Sequence, residues 1–281
     1  MLLTAMLLVL ASAGLHALWN ALLKRARNPQ AASVGVLGVA ILATGCILPW
    51  VPGPILPGPG AWAWALAAGV GEGCYFVALG RALQAAPLGW SYAWMRGLGM
   101  LLVWPASILL MGEPIHLLAA LAVAAVCLGL GLMGLVSARG QGPRGLLWAA
   151  ATGVCIAGYT LCYKAALVHG AHPAGLFETA MLVALPIQLG VRIQRRGLRE
   201  GLRPPGQWGL LGAAGILCAA SFLLYLKALA MEGAGAMATL RNTSIVFALL
   251  LSRAMGERPT ARQWAGAALV AAGAAGLAWP R

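Results

Sequence analysis

Aspartate is absent from all 281 residues, and the acidic complement is six glutamates. Charged residues of both signs make up 9% of the chain, against 61% hydrophobic. Soluble globular domains carry charge on about a quarter of their residues, so a composition this poor in charge could not cover a water-facing surface. Other signatures are missing too. No C-x-x-C pair joins the six cysteines, which fall in apolar stretches and read as small core hydrophobes rather than metal ligands. There is no P-loop, which argues against ATP hydrolysis. No stretch between apolar runs is long enough for a soluble domain, and the first run lacks a basic leader and a small-residue cleavage site, so it reads as a retained helix.

What the chain does have is long apolar runs. Breaks at Asn28-Pro29, 49–60, Pro87, Pro114, Gly142-Pro143, Pro173, Pro204-Pro205 and Pro259 divide it into ten runs of about 20 residues, the length needed to cross a bilayer as helix. The expected spans are 3–24, 30–50, 61–83, 88–111, 114–136, 145–167, 173–193, 207–230, 233–255 and 259–279. Transmembrane strands would show short alternating segments instead. The fold class expected is an all-helical integral membrane bundle.

The net charge of +13 could suggest nucleic acid, but the basic residues sit at span ends. Lys24, Arg25, Arg27, Arg81, Arg139, Arg144, Arg192, Arg195, Arg196, Arg199, Arg203, Arg253, Arg258 and Arg262, 14 of the 19, flank odd-numbered links, while the even links carry essentially none. The positive-inside rule makes the odd links cytoplasmic and puts both termini outside. The basic balance then serves topology and attraction to the anionic inner leaflet, not nucleic acid. The expected location is a bacterial cytoplasmic (inner) membrane.

The two halves resemble each other at an offset of about 145 residues. Arg96 followed by Met111-Gly112-Glu113-Pro114 answers Arg241 followed by Met255-Gly256-Glu257-Arg258-Pro259, and Lys24 and Phe76 answer Lys164 and Phe222. The expected repeats are residues 1–138 and 139–281. Five spans in each is an odd number, so the halves must be inverted relative to one another, an arrangement that places a substrate site at their interface.

Polar residues inside spans are costly in hydrocarbon and must face protein or a cavity. Glu72 lies about 11 residues into helix 3, roughly 16 Å deep, and is the candidate to carry a coupling proton. Arg96 and Arg241 lie about eight residues into helices 4 and 9, and their planar forks suit carboxylate or phosphate. The competing reading makes them structural ion pairs, for example Glu72 with Arg96. His16, Trp19, Asn20 and Leu23 share one face of helix 1, and Ile156, Tyr159, Thr160 and Tyr163 the matching face of helix 6. Tyr75, Tyr92, Trp94, Ser221, Tyr225 and Asn242 complete the candidate substrate-binding set. Glu113 and Glu257 read as helix caps, Lys164 and Lys227 as snorkelling side chains, His169 and His172 as loop histidines able to sense pH. Ala268, Ala272 and Gly276 read as a packing stripe. No metal site and no cofactor is expected.

His16-Ala17-Leu18-Trp19-Asn20 with Lys24, Gly112-Glu113-Pro114, and Leu240-Arg241-Asn242-Thr243-Ser244 through Gly256-Glu257-Arg258-Pro259 together resemble the drug/metabolite transporter superfamily, in its ten-helix EamA-like branch. The likeness covers essentially the whole chain. It implies two inverted five-helix repeats around a central cavity, and export or exchange of a small metabolite. Many members of that superfamily have both ends in the cytoplasm, and the charge bias here points the other way. The functional expectation is a secondary transporter for an amino acid or other zwitterion or anion, working by alternating access, with partners limited to a small-molecule substrate, lipid bilayer and protons. Either a monomer or a homodimer is compatible. The alternatives are a flippase for a polar lipid head group and, from another class, an intramembrane enzyme, against which the scattered Cys and His residues argue.

Overall fold

The computed structural model describes residues 3–113, 117–137, 142–198 and 206–278. Pro114, Arg139, Arg199, Arg203, the Pro204-Pro205 break and the expected repeat boundary at 138/139 lie outside the described residues.

Every described element is helical: α1 Leu3–Arg25, α2 Pro29–Gly45, α3 Pro59–Ala85, α4 Leu88–Met111, α5 Leu117–Ser137, α6 Pro143–Val168, α7 Pro173–Arg196, α8 Trp208–Met231, α9 Ala234–Arg241, α10 Ser244–Ala254 and α11 Ala261–Ala278, with a 3-10 turn at Leu48–Trp50. Among the described residues, eight stretches are long and apolar enough to cross a membrane, with Leu117–Met133 a shorter apolar helix. Proline starts four of the helices, at Pro29, Pro59, Pro143 and Pro173, where its missing N–H costs nothing.

The distribution of polarity is inverted relative to a soluble protein. Glu72, Arg96 and Arg241 are almost wholly buried, whereas Leu109 is 81% exposed and Leu110, Leu117 and Leu42 stand outward beside it. An apolar exterior around a polar centre is stable only against lipid. This corrects the expectation for the cysteines. Cys218 is buried, but Cys46 and Cys74 are exposed, because an apolar residue in a bilayer can face outward as well as in.

Packing follows a two-fold pattern. α3 lies against α6 as α8 lies against α1, α4 packs on α6 as α9 and α10 pack on α1, and α3 meets α7 as α8 meets α2. α5 and α11 pair with each other at one side. A Cβ on Gly129 would come within 2.5 Å of the Gly266 carbonyl, so this pair depends on bare backbone at the crossing. The stripe that packs is Gly266, Val270 and Gly273, whereas Ala268 and Ala272 face outward, one helical face away from the expectation.

Two features depart from simple spans. The ninth, expected as one helix over 233–255, is tightened in the middle: Asn242 and Thr243 donate to Thr239 and Leu240 three residues back, separating α9 from α10. A mid-helix 3-10 stretch of this kind often marks a functional hinge. Also, α4 and α10 each end on a glycine in the left-handed region, Gly112 at φ 66° and Gly256 at φ 88°, a conformation only glycine adopts cheaply. The next residue in each case, Glu113 or Glu257, points across to another helix. The Glu113 carboxylate accepts the backbone N–H groups of Ala234 and Gly235 at the start of α9, and Glu257 accepts that of Leu88 at the start of α4. Both glutamates are therefore caps, of a helix in the opposite half rather than of the helix that follows them.

Candidate functional site

The helical period expected for α1 and α6 is realised. His16, Trp19, Asn20 and Leu23 are all buried on one face, and Ile156, Tyr159, Thr160 and Tyr163 on the other. Between these faces Arg241 extends from the end of α9. Its guanidinium carbon lies 3.9 Å from the centre of the Tyr225 ring and 4.6 Å from that of Phe222, and Nη2 is 3.0 Å from His16 Nδ1. Because arginine has no acceptor, His16 Nδ1 is the acceptor here, and it also accepts from Trp19 Nε1 at 3.3 Å. The imidazole is thereby assigned neutral, with its proton on Nε2. The His16 carbonyl receives Asn20 Nδ2 at 2.8 Å and the Tyr92 hydroxyl at 3.2 Å, tying α1 to α4.

Arg96 is positioned from the other side by α4, whose close approach to α6 requires glycine: a Cβ on Gly153 would be 2.8 Å from the Met95 carbonyl. Arg96 lies 5.9 Å over the Tyr92 ring. Together with Gly99, Met100, Val103, Ile156, Tyr159, Thr160, Tyr225, Ala238, Arg241 and Asn242 it lines a narrow cavity. The space is tight, with room for about one water molecule.

The donors around this cavity are under-used. Arg96 Nε and Nη2, Tyr159 OH, Arg241 Nε and Asn242 Nδ2 are buried without a hydrogen-bond partner. Each such group costs about 1–3 kcal/mol, more when charged, so five in one place is far from what a fold tolerates for its own sake. No carboxylate lines the cavity. Glu72 stands outside it, accepting the Tyr163 hydroxyl at 3.1 Å through Oε1, with Oε2 unpartnered. Among the described residues no ion pair joins Glu72 to Arg96 or Arg241, so the ion-pair alternative has no geometric support. Tyr75, 5.4 Å from Tyr159 between ring centres, continues the aromatic wall.

Of the expected residues, His16, Trp19, Asn20, Tyr75, Tyr92 and Tyr163 are not in the cavity lining, and Ser221 and Trp94 serve elsewhere. Ser221 and Ser12 each donate to the other's backbone carbonyl, at 3.0 and 2.7 Å, which clamps α8 to α1. Trp94 faces a separate apolar groove with Leu98, Leu101, Cys127 and Leu130, since it lies two residues before Arg96 and hence on another face of α4. Phe222, Met100, Val103 and Ala238 belong to the site or its wall but carry no polar signal by which a sequence would reveal them. Lys164 also differs from expectation: rather than snorkelling, it donates to the carbonyls of Leu229 and Glu232 at the end of α8, as Lys24 does to those of Leu83 and Ala86 at the end of α3. Each satisfies carbonyls that have no partner within their own helix. His172 accepts the Ala174 N–H as the cap of α7, and partial burial pushes its pKa down, favouring the neutral form that can accept. No cluster of three His, Cys, Asp or Glu among the described residues could hold a metal.

This architecture, an all-helical bundle with two-fold packing around a buried polar centre, is that of a multi-pass membrane protein. Residues 143–279 match the EamA-like transporter family, and the second half is thereby an EamA-like domain of the drug/metabolite transporter superfamily. A solved structure described only as "Crystal structure of protein" superposes with a TM-score of 0.74 over 98% of each chain at 20% identity, a likeness of fold alone. No curated protein matches the chain.

Proposed function

We propose that the protein is a secondary transporter of a small organic anion or zwitterion such as an amino acid, working by alternating access between the halves 1–138 and 139–281. The observation that carries this reading is the set of unpartnered donors on Arg96, Tyr159, Arg241 and Asn242 around a narrow cavity whose lining has two guanidinium groups and no carboxylate. A carboxylate held between two arginine forks would use those donors, and charge-assisted bonds of this kind are about twice as strong as neutral ones. Met100, Val103, Ile156 and Ala238 supply an apolar wall for the remainder of the substrate. Glu72, one layer away behind Tyr163, is suited to hold a coupling proton rather than to touch the anion. The basic face defined by Arg25, Arg27, Arg192, Arg195, Arg253 and Arg258 is the proposed cytoplasmic side, with both termini outside and the inner membrane as the location. The test is a thermal-shift and binding screen of purified protein against amino acids, monocarboxylates, phosphorylated metabolites and organic cations. Stabilisation by carboxylates or zwitterions is expected; stabilisation by organic cations alone would refute the anion site.

A further inference from the structure

The four charged residues that the substrate reading leaves unused form two matching assemblies, one at each end of the central cavity. On the basic face, Lys24 holds the C-terminal carbonyls of α3, at 2.8 Å from Ala86, and Glu257 holds the first N–H of α4, at 3.3 Å from Leu88. On the opposite face, Lys164 holds the C-terminal carbonyls of α8, at 2.9 and 2.8 Å from Leu229 and Glu232, and Glu113 holds the first N–H groups of α9, at 3.0 Å from Gly235. In each assembly a lysine of one half grips the turn of its own half, and a glutamate of the other half grips the helix that leaves that turn. α4 and α9 are the helices that carry Arg96 and Arg241.

We propose that Glu257 and Glu113 are alternating latches of the transport cycle, each closing one face of the cavity by binding the N-terminus of a helix in the opposite half. The lysine contacts lie within a half and can survive a rigid movement of one half against the other. The glutamate contacts cross between halves and must break when that face opens. Both latches are shut in this structure, in keeping with a cavity that has room for about one water. Each is built for release rather than permanent burial, because a carboxylate at a helix N-terminus near the bundle end exchanges its partners for water at modest cost. The Gly112-Glu113 and Gly256-Glu257 pairs acquire a physical reason: the left-handed glycine ends one helix and turns the glutamate toward the other half. Gly233 is part of the same device, since a Cβ there would come within 2.8 Å of the Glu113 carboxylate. The latches are unequal. Glu113 accepts two N–H groups and Glu257 one long one, so the basic face opens more readily.

This inference rests on the alternating-access reading but not on the identity of the substrate, so its test uses none. In a cysteine-free background, Ala238→Cys places a reporter in the cavity wall, and its labelling by an impermeant maleimide is timed from each face in vesicles of defined orientation. Glu113→Gln is expected to accelerate labelling from the face opposite the basic one, and Glu257→Gln from the basic face, each about 10- to 100-fold, the range expected for losing a charge-assisted bond. Where a glutamine variant does not fold, Glu→Asp, which withdraws the carboxylate by one methylene, is measured in its place with the same expectation. Plain helix caps would lower the melting temperature with labelling unchanged, or raised equally from both faces. Either result overturns the proposal while leaving the anion site standing.

Discussion

Replacing Arg241 separates a substrate site from a structural charge more sharply than any other change. The guanidinium is fully buried, stacked on Tyr225 and Phe222 and bonded to His16 Nδ1, yet its Nε has no partner. A buried cation without a carboxylate partner carries a desolvation cost that its aromatic contacts, about 2 kcal/mol for a desolvated cation–π pair, only partly offset. Its removal therefore changes stability little. Substrate binding is different, because deleting one partner of a buried charge pair costs about 2–5 kcal/mol, or about 30- to 4,000-fold in affinity. Arg241→Met, which fills much of the same volume without charge, is expected to lose affinity in that range and to retain a melting temperature within a few degrees of the parent. Arg241→Lys keeps the charge but not the fork or the stack, and is expected to fall between. Isothermal titration with the ligand found by screening, beside a thermal melt of each variant, makes the comparison. Unchanged affinity in a folded Arg241→Met protein refutes the site, and a large fall in melting temperature with normal affinity assigns the arginine to the fold.

Glu72→Gln, which keeps the bond from Tyr163 but cannot exchange a proton, is expected to abolish uptake driven by a pH gradient while leaving exchange of substrate across vesicles partly intact; a Gln variant still driven by the gradient would remove Glu72 from coupling. Topology is tested by single cysteines at Gly58, where a side chain meets open space, and at Arg258 on the basic face. An impermeant maleimide applied to intact cells is expected to label the first and not the second, and the reverse pattern inverts the proposed orientation. Gly197 is a poor choice for the inner reporter, since its φ of 77° would strain any side chain.

Much of the fold was legible because the membrane reduces the possible answers. Long apolar runs with proline breaks define helices when the backbone must satisfy itself, and the period of His16, Trp19, Asn20 and Leu23 was enough to orient α1. What failed was any inference from apolarity to burial. Cys46, Cys74, Ala268 and Ala272 are apolar or small and stand at the surface, since in lipid both faces of a helix are permitted to be apolar. The 3-10 interruption at Asn242 and Thr243 had no glycine or proline to announce it. It is visible only in the hydrogen bonds, and it is what places Arg241 at a helix end beside the cavity.

The charged residues show the complementary limit. Depth along a helix located Glu72, Arg96 and Arg241 in the buried centre, and did so without knowledge of any partner. Which residues were paired could not be read the same way, because the contacts that matter join positions far apart in sequence: Glu113 with Ala234, Glu257 with Leu88, Arg241 with His16. The duplication held the missing information. A residue type recurring at corresponding positions of the two halves can make the same kind of contact twice. Lys24 with Lys164 and Glu113 with Glu257 do so, to backbone groups that carry no sequence signal. A charge pattern that recurs between the two halves therefore points to contacts of the same kind, and under the proposed alternating-access cycle those two contacts are made in turn.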